Sequence, residues 1–117
     1  LNFGHTLGHA IEKEMNFSLY HGECVVLGMI AALNICVELG TITGEERDDA
    51  LNTFALYEFP DHVTGINTDD VIAVSKNDKK MDAGKVKFIL LKSVGDAYID
   101  RDITDDQMRR ALEGVIR

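Results

Sequence analysis

The chain has 117 residues, enough for one domain with a modest core. Hydrophobic residues make up 45% and charged residues 27%, an ordinary globular balance. The formal net charge of −8 excludes a general nucleic-acid binder, because neutralising phosphates needs a basic surface.

The first element is a helix running to about Met15, with Asn2 as its expected N-cap. Within it His5, His9 and Glu12 stand at i, i+4 and i+7 and form one stripe. Phe3, Leu7, Ala10 and Ile11 fall on roughly the opposite side, so the histidines are not on the face that enters the core. Gly4 and Gly8 are poor helix formers, tolerated where another element comes close to the backbone. A loop from Asn16 to Tyr20 leads to His21, and a second helix runs to about Leu39, stopped by Gly40. Its apolar residues cover nearly the whole circumference, which predicts the central helix of a bundle. The charge-free run Cys24 to Val37 is too short to span a bilayer. Cys24 and Cys36, inside that run, read as buried free thiols of a reducing compartment rather than a disulfide.

Thr43 and Glu46 form a capping box for a third helix through Ala50, Leu51, Phe54 and Leu56, ended by Pro60. His62, in the turn that follows, reads as a surface residue. Thr68 is the expected cap of a fourth helix, with Asp69 and Asp70 in its first turn. The period then changes. Val86, Phe88 and Leu90 alternate with Lys87 and Ile89, and Gly95 precedes Ala97-Tyr98-Ile99, which predicts a β-hairpin. Thr104 and Gln107 cap a last amphipathic helix carrying Met108, Leu112 and Ile116. The fold class is therefore mainly α, a bundle of about five helices with one short hairpin.

Two constellations can carry chemistry. Imidazole suits zinc, and a catalytic zinc takes three protein ligands and an open position. His5 with His9 is one candidate pair at helical spacing, and His5 with His21 across the interhelical loop is another. Spacing does not choose between them. Glu12 can orient a ligating imidazole, and it can equally be a solvated helical carboxylate. Cys24 has nothing beside it to activate a thiolate and reads as packing. The second constellation is a lysine island: six of the seven lysines lie between Lys76 and Lys92. In an acidic chain it suits a single phosphate or carboxylate group. Lys85 and Lys87 equally fit strand-edge lysines, whereas Lys79 and Lys80 precede the strand in a loop with Asp78, Asp82 and Gly84.

The block Asn2-Phe3-Gly4-His5-Thr6-Leu7-Gly8-His9-Ala10-Ile11-Glu12, then His21-Gly22-Glu23, then Asp78-Lys79-Lys80 ahead of Lys87-Phe88-Ile89-Leu90-Leu91, resembles the carboxy-terminal domain of the 3-dehydroquinate synthases. The resemblance implies an NAD- and metal-dependent carbon–oxygen lyase of the shikimate pathway, acting on 3-deoxy-D-arabino-heptulosonate 7-phosphate. Transient oxidation of a ring hydroxyl makes phosphate elimination feasible; reduction, ring opening and an aldol closure then give 3-dehydroquinate. It implies His5 and His21 as ligands of zinc or cobalt, and His9 as the proton-transfer residue beside the substrate phosphate. It implies Asn2 and Lys79 as further substrate-binding residues. It also implies a cytoplasmic homodimer with a small sugar phosphate as partner, and neither nucleic acid nor membrane.

Residues 1–117 are accordingly expected to be a single helical domain of a longer chain, since Leu1 opens directly into a helical motif without a methionine. The family's third metal ligand, a glutamate, and its Gly-rich NAD-binding α/β domain belong to an amino-terminal part, and no glycine-rich phosphate turn follows a strand in this sequence. Taken alone the domain is expected to be inactive. Related sugar-phosphate cyclases and metal-dependent alcohol or glycerol dehydrogenases share the histidine motif, but Asn2-Phe3-Gly4 and Asp78-Lys79-Lys80 favour dehydroquinate synthase. A non-enzymatic helical module that binds a metal or a partner protein is the alternative from another class.

Overall fold

The second helix organises the molecule because it is apolar on all sides. In the computed structural model, which describes residues 3–77 and 86–117, helix α2 spans His21–Leu39. Cys24, Val26, Leu27, Ile30, Ala31, Leu33, Ile35 and Cys36 are buried along it. Around it pack α1 (His5–Glu14), α3 (Gly44–Leu56), α5 (Asp105–Leu112) and the strand β1 (Phe88–Ser93). Its 19 residues and mean hydropathy of 1.8 meet the length and composition of a membrane span, yet more than half of the stretch is already covered by the other elements. That is the behaviour of a core helix. Gly40, at φ 79°, ends it in the left-handed conformation.

Helix α1 begins later than the sequence suggests. Its cap is Gly4, not Asn2, which lies outside the described residues. Gly4 sits at φ 81°, and its carbonyl accepts the first helical hydrogen bond from Gly8 N–H at 3.0 Å. The reason is the crossing with α2. A Cβ on Gly4 would come within 2.5 Å of Met29 N, one on Gly8 within 2.7 Å of Cys24 O, and one on Gly28 within 2.0 Å of Gly4 O. Three glycines from two helices thus remove the side chains where the backbones meet. The close approach expected of Gly4 and Gly8 is present, and its partner is Gly28.

The third helix has its capping box, with Thr43 Oγ1 accepting from Glu46 N–H at 3.0 Å. Leu51 and Phe54 pack against the core, but Leu56 is 82% exposed and no residue of α3 is fully buried. Helix α4 (Thr68–Lys76) is capped by Asn67 rather than Thr68. Asn67 Oδ1 accepts from the N–H groups of Asp69 and Asp70 at 2.8 and 3.3 Å, which puts the stronger capping residue in the cap and Thr68 inside the helix. Strands β1 and β2 (Asp96–Asp100) pair antiparallel, Ile89 opposite Ile99 and Leu90 opposite Tyr98, with an irregularity between Leu91 and Ser93. Phe88 and Leu90 are buried toward α2.

Helix α5 has the expected Thr104–Gln107 box and buries Met108, Ala111 and Leu112. It stops at Leu112, so Ile116 is not on it. Gly114, at φ 77°, turns the chain, and Val63 N–H then donates to Val115 O at 2.7 Å while Arg117 N–H donates to Val63 O at 2.8 Å. The tail is thereby tied to the connection between α3 and α4, and Asn34 of α2 holds the end of α5 through a 2.9 Å bond to Ala111 O.

A candidate metal centre between the first two helices

The glycine crossing fixes where the histidines stand. Leu7, Ala10 and Ile11 of α1 enter the core, and the opposite stripe brings His5, His9 and Glu12 to the edge that faces the start of α2. The chain returns through a turn in which Asn16 and Phe17 both have positive φ, 54° and 59°. Two consecutive non-glycine residues there are costly. The turn is held by Phe17 N–H donating to Glu12 O at 3.1 Å and Ser18 N–H donating to Met15 O at 3.1 Å. Tyr20 N–H donates to Glu23 Oε1 at 3.0 Å, which anchors the first turn of α2 behind His21.

This geometry sets the His5 and His21 rings edge-to-face, with centroids 5.9 Å apart and planes at 72°. Of the two candidate pairings left open by spacing, the interhelical one is brought together as a ring pair. Glu12 sits beneath it, only 7% exposed. His21 Nδ1 lies 3.0 Å from Glu12 Oε2, and His9 Nδ1 lies 3.6 Å from Glu12 Oε1. An ionised carboxylate only accepts, so His21 Nδ1–H is the donor. The His9 separation is beyond a hydrogen bond and is an electrostatic contact. Among the described residues no group of three or more histidine, cysteine, aspartate or glutamate side chains forms a complete metal cage.

Cys24 lies close by but stays a thiol. Burial first, and then the negative charges of Glu12 and Glu23, push it from 9.0 to about 11. It offers neither a thiolate ligand nor a nucleophile at neutral pH, in line with its reading as packing. Cys36 is likewise a buried free thiol, raised by its burial, and its Sγ accepts from Leu91 N–H at 3.4 Å.

Only part of the lysine island lies within the described residues. Asn2 and Lys79, both expected to bind substrate, lie outside the described residues, as do Lys80 and Lys85. Lys76 is paired with Asp105 at 2.5 Å and so serves the α4–α5 contact. Lys87 precedes β1, and its carbonyl accepts from Thr6 Oγ1 at 2.7 Å. That bond ties the lead-in to the hairpin directly to the histidine helix. Sequence reasoning missed it, because nothing in a lone threonine announces a partner 81 positions away. His62 pairs with the adjacent Asp61 at 2.7 Å in an exposed turn remote from these residues in sequence and element.

The comparisons with known proteins agree on the class of fold. Two solved synthases share it. A 2-epi-5-epi-valiolone synthase from Streptomyces hygroscopicus, with NAD+ and Zn2+ bound, matches at TM-score 0.85 and 24% identity over 97% of this chain and 32% of its own. A 2-deoxy-scyllo-inosose synthase complexed with carbaglucose-6-phosphate, NAD+ and Co2+ matches at TM-score 0.77 and 22% identity, over 97% of this chain and 34% of its own. At these identities the likeness carries the architecture alone.

Sequence carries the family. The 3-dehydroquinate synthase C-terminal family matches residues 1–81, and the chain belongs to it. A 3-dehydroquinate synthase of Dehalococcoides mccartyi is 38% identical over 113 residues, 97% of this chain and 32% of that protein. Those of Acetivibrio thermocellus and Nostoc punctiforme are 40% and 38% identical over 96% and 98% of the chain. The chain spans about a third of the length of the curated relatives it matches.

Proposed function

We propose that this chain is the metal- and substrate-binding domain of a 3-dehydroquinate synthase, which converts 3-deoxy-D-arabino-heptulosonate 7-phosphate to 3-dehydroquinate and phosphate. The observation that carries this reading is the His5–His21 ring pair, set across two helices by a glycine crossing. Two imidazoles that share one zinc at about 2.0–2.1 Å per nitrogen have ring centres roughly 5–6 Å apart. The observed 5.9 Å fits such a pair, and an all-imidazole contribution suits zinc or cobalt.

His5 and His21 hold the metal in this reading, with a third ligand, a glutamate, coming from an amino-terminal domain that also binds NAD. The bound metal supplies Lewis acidity to the substrate's vicinal hydroxyls, and NAD supplies a transient hydride acceptor. His9 stands one turn beyond His5 on the same stripe, placed to exchange a proton beside the phosphate of the bound sugar. Asn2 and Lys79 are assigned to the substrate by family resemblance, as hydrogen-bond donor and as counter-charge for the phosphate. The same reading gives a cytoplasmic homodimer for the full-length enzyme; light scattering on that protein, giving the mass of one chain at working concentration, would remove the dimer.

The deciding experiment is phosphate release from the heptulosonate phosphate by the full-length protein, supplied with NAD and zinc, against its His5→Ala variant. Turnover in the parent that is lost in the variant is the expected result. No turnover on this substrate with metal still bound would move the assignment to a related sugar-phosphate cyclase.

A further inference from the structure

Glu12 is a carboxylate in a place where carboxylates are rarely left. It is 7% exposed on a helix whose neighbouring residues Ala10 and Ile11 are core. A buried charge costs several kcal/mol unless it is paired and hydrogen-bonded. Its hydrogen bond comes from another helix: Oε2 accepts from His21 Nδ1 at 3.0 Å, across the loop and nine positions along the chain. Oε1 faces His9 Nδ1 at 3.6 Å. A solvated helical glutamate would need none of this.

We propose that Glu12 is the positioning residue of the metal centre, holding His21 in the Nδ1–H tautomer so that Nε2 is the atom presented for ligation. The inference rests on the reading of His5 and His21 as metal ligands. The physical content is a choice between two ring nitrogens. Because an ionised carboxylate cannot donate, the proton must stay on Nδ1, and the lone pair needed by a metal is left on Nε2. Together with the edge-to-face contact of His5, the bond also fixes the ring plane of a side chain that is 62% exposed at the first residue of a helix. Carboxylates in this position typically account for 10–100-fold in metal affinity. The same carboxylate also makes an electrostatic contact with His9, the histidine assigned to proton transfer, at 3.6 Å.

The test is Co2+ titration of the metal-stripped full-length enzyme, followed by its visible absorption, for the wild type and for Glu12→Ala, Glu12→Gln and His21→Ala. Glu12→Ala is expected to weaken Co2+ binding about 10–100-fold, and Glu12→Gln less, since an amide oxygen still accepts from Nδ1–H. Nitrogen-15 spectra of the histidine-labelled, metal-free wild type are expected to show His21 protonated at Nδ1 and bare at Nε2. That readout does not move with general stability, and with Glu12→Gln it decides the matter if Glu12→Ala fails to fold. Co2+ binding by a folded Glu12→Ala within about twofold of wild type, while His21→Ala loses the metal, would overturn the role of Glu12 and leave the metal centre standing. So would a wild-type His21 protonated at Nε2. Unchanged binding in His21→Ala would remove the metal reading and this inference together.

Discussion

Two of the histidine–carboxylate pairs among the described residues stand in contrast, and the shorter one is the less informative. His62 and Asp61 are adjacent in sequence, exposed, and 2.7 Å apart. His21 and Glu12 are 3.0 Å apart, but they come from two helices, and the carboxylate is buried. The first pair forms whenever neighbouring side chains in a turn find each other, and water screens it. The second exists only because α1 and α2 are locked at Gly4, Gly8 and Gly28. What separates a site from a surface contact here is the structure needed to make it, not the distance.

The sharpest way to break the contrast is at the crossing itself. Gly28→Ala places a Cβ against Gly4 O, which neither backbone can yield cheaply, and should cost about 3 kcal/mol or more despite alanine's better helix propensity. Urea unfolding measures it, and the His62–Asp61 turn should be unaffected.

The Cys24 thiol beside Glu12 gives a second, pH-dependent handle. The unfolded chain ionises this thiol near 9.0 and the folded one only near about 11, so folding is favoured below that window and weakens as pH rises through it. The alkaline loss should be on the order of 2 kcal/mol and should shrink in Cys24→Ala, followed by denaturant midpoints at successive pH values.

Thr6→Val deletes the tie to Lys87 O and should cost about 1 kcal/mol, with hydrogen exchange rising first at the start of β1. His62→Ala is the control. It should change stability by less than about 0.5 kcal/mol. The hydrogen bond from His62 holds the Asp61 carboxyl below its usual range, so the variant should let it return upward, seen by carboxyl carbon shifts in an NMR pH titration.

Features set by local chemistry were legible in the sequence: the bounds of α2, both Thr capping boxes, the hairpin and the burial of the two cysteines. The departures came where a distant partner overruled a local signal. Asn2 is a good cap, but the contact with Met29 makes Gly4 the point at which the helix can begin. Ile116 keeps helical spacing with Leu112, but Gly114 and the Val63 pairing draw it away. Asn67 outcompeted Thr68 for the cap. At the site, the stripe of His5, His9 and Glu12 could be read from spacing, whereas the burial of Glu12 could not. Burial there is a property of the interhelical contact, and no window within α1 contains it.

The central claim is that His5 and His21 share one metal. Zinc content and Co2+ affinity of the full-length protein, compared between wild type, His21→Ala and His62→Ala, test it most directly. The account predicts that His21→Ala loses the bound metal and phosphate-releasing activity together while His62→Ala retains both. A His21→Ala protein that keeps its metal at wild-type stoichiometry and affinity would contradict it.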